Sequence, residues 1–219
     1  SSGLCDALVG RSDSAARLDE LERAGLFIRP VGGGRLWYSY HAAFRETLLA
    51  ELERSEPGAV RSQLHQEASQ WYERSDMPEE AVEHALLAGD AARASRLVAQ
   101  IAQVAASRGR LATLERWFGE LGDSTVRDYP PLAVLAGWVS ALSGVAPIAA
   151  SWAAVIDELH HDEPPTDGTE SFESARAMFR ALVCPDGPDR MVADADEALA
   201  REPAWSEWRS TAEQLTAEA

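Results

Sequence analysis

There is no lysine in this chain; all 20 of its basic residues are arginine. Schiff-base chemistry and a lysine-bearing phosphate loop of the GxxxxGK[ST] kind are therefore excluded from it. Cysteine is nearly absent too. Cys5 and Cys184 are far apart and in no metal-binding spacing, which excludes a disulfide framework and a cysteine zinc site. Such usage points to a reducing, cytoplasmic setting, with a single long-range disulfide as the alternative. No apolar run approaches the roughly 20 residues that a membrane-spanning helix needs. No secretory leader is visible and the first residue is not methionine, so the chain reads as a fragment of a longer protein. No nucleophile–base pair and no metal cluster stands out either, and the expectation is a piece with no catalytic residue, no metal and no cofactor of its own.

Positive charge is outweighed throughout. The net charge is −16. Residues 1–56 carry 7 arginines against 9 acids, and the remainder carries 13 against 27. A surface of that sign repels the phosphate backbone, so nucleic acid and anionic membranes are poor partners, whereas proteins and small ligands remain open.

The pattern of what is present changes sharply once. Residues 4–9 form a short apolar segment ended by Gly10. Ser12 or Asp13 can cap a second helix with the face Ala15, Leu18, Leu21 and Ala24, closed by Gly25. Residues 26–31 and 36–40 are β-prone, and the glycines at 32–34 between them permit a tight reversal. At His41 the period switches: Phe44, Leu48 and Leu52 recur every fourth residue, one face of a helix. His41 thus stands where a strand becomes a helix, and unpaired N–H groups and the positive end of the helix dipole suit an anion there. Helix, helix, two-stranded wing and helix is the order of a winged-helix module. Its second helix mixes Arg17 and Arg23 with Asp19, Glu20 and Glu22, a poor footprint for reading DNA.

From residue 57 onward only helical periods occur. Val60, Leu64, Ala68 and Trp71, then Ala81, Val82, Ala85 and Leu86 behind Pro78, then Ala94, Leu97, Ile101 and Ala105, then Leu111, Leu114, Trp117 and Leu121, mark successive apolar faces. Later faces run through Leu132, Leu135, Val139 and Leu142; Ile148, Trp152, Val155 and Leu159; Phe172, Ala175, Phe179 and Leu182; Met191, Val192, Ala195 and Leu199; and Trp205, Trp208, Ala212 and Leu215. Pairs of helices at this spacing make a degenerate array of the tetratricopeptide kind. The expected architecture is mainly α, with a winged-helix subdomain at 1–56, helical repeats at 57–161, an acidic Pro/Gly-rich loop at 162–170 lying mobile on the surface, and further hairpins at 171–219.

Other residues of functional type read as structural. His160 and His161 are adjacent, and on a helix neighbours point about 100° apart, which chelates poorly. His65 and His84 fall on stripes between helices. Trp71, Tyr72, Trp117, Trp138 and Trp152 are spaced as core, with a ligand groove the less economical reading. Glu79, Glu80 and Glu83 form a solvated first turn.

Three segments carry a resemblance: Leu18-Asp-Glu-Leu-Glu-Arg-Ala-Gly-Leu-Phe-Ile28, Trp37-Tyr-Ser-Tyr-His-Ala-Ala-Phe44, and the stretch from Leu64 to Asp90 with His65, Trp71, Tyr72 and Pro78. Arg108 to Trp117 extends it. In order and spacing they resemble the MalT-like, LuxR-type transcriptional regulators of the signal-transduction ATPase class. The resemblance covers about residues 4 to 140. It implies a parent protein with an ATPase, this winged helix, a helical sensor that takes a small-molecule inducer or a regulatory protein, and a terminal helix-turn-helix. It also implies self-association on activation, and ATP or ADP bound by the parent. Related sensor regions follow Ser/Thr kinase domains, and a pure protein-interaction scaffold is a further alternative. Within the wider ATPase class a Met-His-Asp motif falls where this chain has Tyr40-His41-Ala42. Only the histidine carries over, which implies that His41 contacts the terminal phosphate of ADP held by the parent ATPase domain.

Overall fold

A computed structural model describes residues 1–32, 37–163 and 165–218. Among these, 13 helices and one two-stranded antiparallel sheet account for the regular structure, and 73% of the described residues are helical. The chain is mainly α, a winged helix followed by a helical array, as its periodicities require. It divides into two compact units, Ser1–Asp90 and Ala91–Ala219. No helix among the described residues is long and apolar enough to cross a membrane.

In the first unit, α1 (Ser2–Val9) begins on the Ser1 hydroxyl, which accepts from the Leu4 amide, and ends at Gly10 in the left-handed conformation that glycine enters without steric cost. Helix α2 (Ser14–Arg23) is not capped by Ser12 or Asp13. The Ser14 amide donates instead to the Asp6 carboxylate on α1, 3.0 Å away, while Asp13 is held by Arg11 and Arg17 at 2.9 Å each. The wing is β1 (Ile28–Val31) and β2 (Trp37–Tyr40), with Ile28 opposite Tyr40 and Val31 opposite Trp37. The glycine turn expected at 33–34, and Leu36, lie outside the described residues. Tyr38 donates to Asp19 at 2.7 Å and fastens the wing to α2.

Helix α3 (Ala42–Ser55) buries no residue. Leu48 and Leu49 are 40% and 42% exposed, so the stripe that the period announces is only partly covered, by Phe27 and Tyr40 against Phe44. Helices α4 (Gly58–Arg74) and α5 (Pro78–Ala88) pack as a hairpin around Ala68, Tyr72, Ala81, Val82 and Ala85. Burying such faces at roughly 25 cal/mol per Å² is what holds two otherwise marginal helices in place. Ser69 donates to the Ala81 carbonyl at 2.7 Å, which satisfies a buried hydroxyl and sets the register of the pair. Trp37 of the wing stacks on Tyr72 and meets Trp71 edge-on, with ring centres 6.4 and 6.1 Å apart.

The second unit runs through α6 (Ala91–Ser107), α7 (Leu111–Leu121), the short α8 (Asp123–Asp128), α9 (Pro130–Leu142), α10 (Ala146–Asp157), α11 (Phe172–Val183), α12 (Pro188–Arg201) and α13 (Trp208–Glu218). Successive helices pack as neighbours, and Trp117, Leu114, Leu132, Ile156, Phe172, Met178 and Phe179 are fully buried. Three expectations fail here. Leu142 and Ile148, expected on the core faces of α9 and α10, are 59% and 48% exposed. Trp205 is 79% exposed and precedes α13, so it belongs to no core face. The segment 165–170 is pinned, although its composition suggests a mobile surface loop. Asp167 and Thr169 are 3% and 4% exposed. The Asp167 carboxylate accepts from the Thr169 amide and hydroxyl, its carbonyl accepts from the Trp208 indole at 2.9 Å, and Thr166 donates to the Ala99 carbonyl at 2.7 Å. Pro164 lies outside the described residues.

Candidate functional site

The wing, the turn before it and the start of α3 enclose a groove of about 710 Å³. Its position follows from the local chemistry. Gly25 ends α2 in a left-handed conformation, and Phe27 then adopts φ 56. A bulky residue with positive φ is an outlier, with a cost of about 1–3 kcal/mol that the surroundings must hold in place. The His41 amide donates to the Phe27 carbonyl at 2.8 Å and closes the mouth of the hairpin. The Phe27 ring, 61% exposed, leans over His41 and Phe44 with ring centres 6.5 and 5.4 Å away.

His41 is the N-cap residue of α3 by backbone, with φ −58 and ψ 139, but its imidazole makes no capping hydrogen bond. The ring is exposed in the groove rather than spent on the helix. Arg29 projects from β1 and Arg45 from the first turn of α3 into the same groove, and both are exposed. Neither has a carboxylate partner among the described residues. Three cationic or protonatable side chains thus meet at the positive end of a 14-residue helix, inside a chain of net charge −16. That arrangement suits a phosphate or carboxylate. Sequence reading located His41 through the strand-to-helix switch. Arg29 comes beside it only through the hairpin register, whereas Arg45 lies one turn further along α3 itself.

The remaining residues of functional type sort themselves by contact. His161 packs edge-on between Tyr129 and Phe172, each 6.1 Å away, and His160 is exposed. No group of three or more histidine, cysteine, aspartate or glutamate side chains among the described residues is placed to hold a metal. Both cysteines are free thiols. Trp117 and Trp152 are core, and Arg127 lies over the Trp152 ring at 5.6 Å. His65 and His84 do sit between helices, and they touch each other: their Nδ1 atoms are 2.9 Å apart.

Comparison with known proteins agrees with the fold. Residues 1–60 match the MalT winged helix domain. The chain is 30% identical over 198 residues, 90% of its length, to the serine/threonine-protein kinase PknK of Mycobacterium tuberculosis. It is 30% identical over 137 residues, 63% of its length, to the HTH-type transcriptional regulator MalT of Vibrio cholerae. With that of Yersinia enterocolitica it shares 32% over 133 residues. The chain spans only 15–16% of the length of these relatives. No solved structure gives a significant match. The chain is thus similar to the MalT transcriptional regulators over about 60% of its length, and its first 60 residues match the MalT winged helix domain.

Proposed function

We propose that this chain is the regulatory segment of a longer, nucleotide-dependent regulator. Its helical array takes an inducer or a partner protein, and its winged helix passes that event to an ATPase module elsewhere in the parent. The observation that carries this reading is the exposed groove at the wing, where His41, Arg29 and Arg45 gather at a helix start and neither arginine has a carboxylate partner among the described residues. In this reading the groove is the face toward the nucleotide, and His41 donates to the terminal phosphate of ADP. The chain itself needs no catalytic residue for that role. DNA recognition by α2 is not part of it, because Arg17 is held by Asp13 and Asp19 by Tyr38. A second reading, the sensor region of a Ser/Thr kinase, is favoured by the greater reach of the similarity to PknK, 198 residues against 137.

The test uses the full-length parent. A charge-assisted hydrogen bond to phosphate contributes about 1.5–3 kcal/mol, so His41→Ala should speed ADP release by roughly 10- to 150-fold. It should also raise activity without inducer. Because the ring is exposed and caps nothing, the thermal midpoint should barely move. Equal ADP release from wild type and variant would remove His41 from the nucleotide site.

A further inference from the structure

A small cleft, of about 100 Å³, opens in the unit Ala91–Ala219 between α6, α9 and the start of α13. Its walls are aliphatic side chains of α6 and α9 and the indoles of Trp138 and Trp208, whose ring centres lie 5.5 Å apart. Gln103 and Leu142 line it and are exposed, so it opens to solvent on their side. Asp167 is the one ionisable residue among those that line it.

The informative residue is Asp167, which is 3% exposed. The hydrogen bonds from the Thr169 amide and hydroxyl, 2.9 and 2.6 Å, both end on Oδ1. Oδ2 has no partner among the described residues, and it is not cut off from solvent. The cleft is the opening that Asp167 lines. No arginine or histidine among the described residues pairs with this carboxylate. A second carboxylate stands close enough to act on it: Glu202, also 3% exposed. The Glu202 oxygens accept from the Glu170 amide and from the Ser174 and Ser206 hydroxyls, while Arg209 donates to the main-chain carbonyls of Leu199 and Glu202. Burial above all raises the Asp167 pKa, against the bonds from Thr169, and Glu202 adds to the rise. A buried carboxylate is costly unless a cation joins it. The rest of the cleft suits the same guest, because indole faces attract cations. The net charge of −16 draws cations to the chain and keeps anions away.

We propose that this cleft binds the ammonium head of a small alkylamine, which donates to the Asp167 carboxylate beside the Trp138 and Trp208 indoles while the alkyl part lies on the aliphatic wall. The space holds a head and a few carbons, less than the volume a drug-sized ligand needs. As a ligand class for the helical array this deepens the sensor reading above and rests on that reading only for its biological use. The binding itself stands on the cleft.

n-Butylammonium, with n-butanol as its neutral isostere and butyrate as its anionic counterpart, tests the assignment on the intact chain by NMR titration above neutral pH. Butylammonium should saturate, with shifts concentrated at the indole N–H groups of Trp138 and Trp208 and at the amides of residues 102–106 and 166–169. Butanol should bind about tenfold more weakly, and butyrate should not saturate. Asp167→Asn keeps an acceptor for Thr169 and removes the charge. It should make the affinities for butylammonium and butanol equal, and the thermal midpoint of the unliganded protein should not fall. Gln103→Arg is a surface change that leaves the core alone. It should weaken butylammonium about tenfold by placing a competing cation at the cleft. Equal binding of butylammonium and butanol by the wild type, saturation by butyrate, or unchanged butylammonium affinity in the two variants would each overturn the proposal. If butylammonium fails while the parent still responds to its inducer, the sensor reading stands and only this cleft is withdrawn. If butylammonium binds but leaves the parent's activity unchanged, the site stands and the sensor reading loses this support.

Discussion

Gly137→Ala should destabilise the unit Ala91–Ala219 by about 1–3 kcal/mol, the usual cost of overpacking a filled core. A methyl group built on Gly137 in α9 would meet ring carbons of Phe179 in α11 at 2.6 and 2.8 Å. Phe179 is fully buried, and Trp138 lies against it with ring centres 5.9 Å apart, so the ring has nowhere to retreat. The missing side chain is what allows α9 and α11 to approach. Gly119 in α7 is the internal control. It is also helical but has nothing within 4 Å of its would-be methyl. There alanine should stabilise by roughly 0.5–1 kcal/mol through helix propensity alone. Urea unfolding of the two variants should therefore give shifts of opposite sign. Phe179→Leu, costly by itself, should cost less in the Gly137→Ala background, with a coupling of about 1 kcal/mol or more. Shifts of the same sign for Gly137 and Gly119 would mean that α9 and α11 are not in contact as described.

Much of this architecture is legible because helix punctuation is local. Pro78 stands in the first turn of α5 and Gly89 ends it in the left-handed conformation. Gly10 and Gly109 likewise stop their helices with positive φ. A period of 3.6 announces an apolar face, but it cannot say what covers that face. Phe44, Leu48 and Leu52 of α3 show a clear stripe, yet α3 buries nothing. The reverse error occurs at 165–170. Acids, glycine and proline describe a solvated loop, whereas Thr166 finds the Ala99 carbonyl 67 residues away and Asp167 satisfies its carboxylate on Thr169. Partners at that separation leave no mark on local composition. Caps show the same limit. Ser12 and Asp13 have the right chemistry and the right place, but Asp6 on the neighbouring helix reaches the Ser14 amide first.

The candidate sites divide along the same line. His41 is visible because a strand period and a helix period meet at it. Arg29 joins it only through the hairpin pairing, in which it faces Ser39, whereas Arg45 stands one turn along the same helix. Asp167 carries no signal in the sequence, since it belongs to a segment that reads as a solvated loop until it is seen buried at the cleft beside Trp138 and Trp208. Helical spacing places His65 and His84 on the facing stripes of α4 and α5, but their contact needs the crossing of the two helices.

That contact sets the second large effect: acidification below neutral pH should weaken the α4–α5 hairpin. The two imidazoles share one hydrogen bond, Nδ1 to Nδ1 at 2.9 Å, so one ring must be an acceptor and therefore neutral. His84 also stacks on Tyr72, with ring centres 5.1 Å apart. Burial first, and then His65, push the pKa of His84 from 6.5 down to about 4, with Glu83 opposing. Burial and then Arg61 lower that of His65 as well. A folded-state pKa below the unfolded value means that the unfolded chain binds more protons between the two. Stability is therefore present above pH 6.5 and is lost as pH falls toward 4. The rings are only half-buried, so solvent screening reduces the loss to about 1–2 kcal/mol, below what the full shift would supply. Histidine-ring NMR should find His84 titrating near 4, and urea midpoints should fall across the same window. Replacing the pair together, His65→Leu with His84→Phe, removes both titrations and keeps an aromatic ring on Tyr72. Apolar replacement of both partners is close to neutral where a single replacement is not. The double variant should flatten the profile between pH 6.5 and 4. An unchanged slope in it would assign the acid sensitivity to carboxylates elsewhere in the chain.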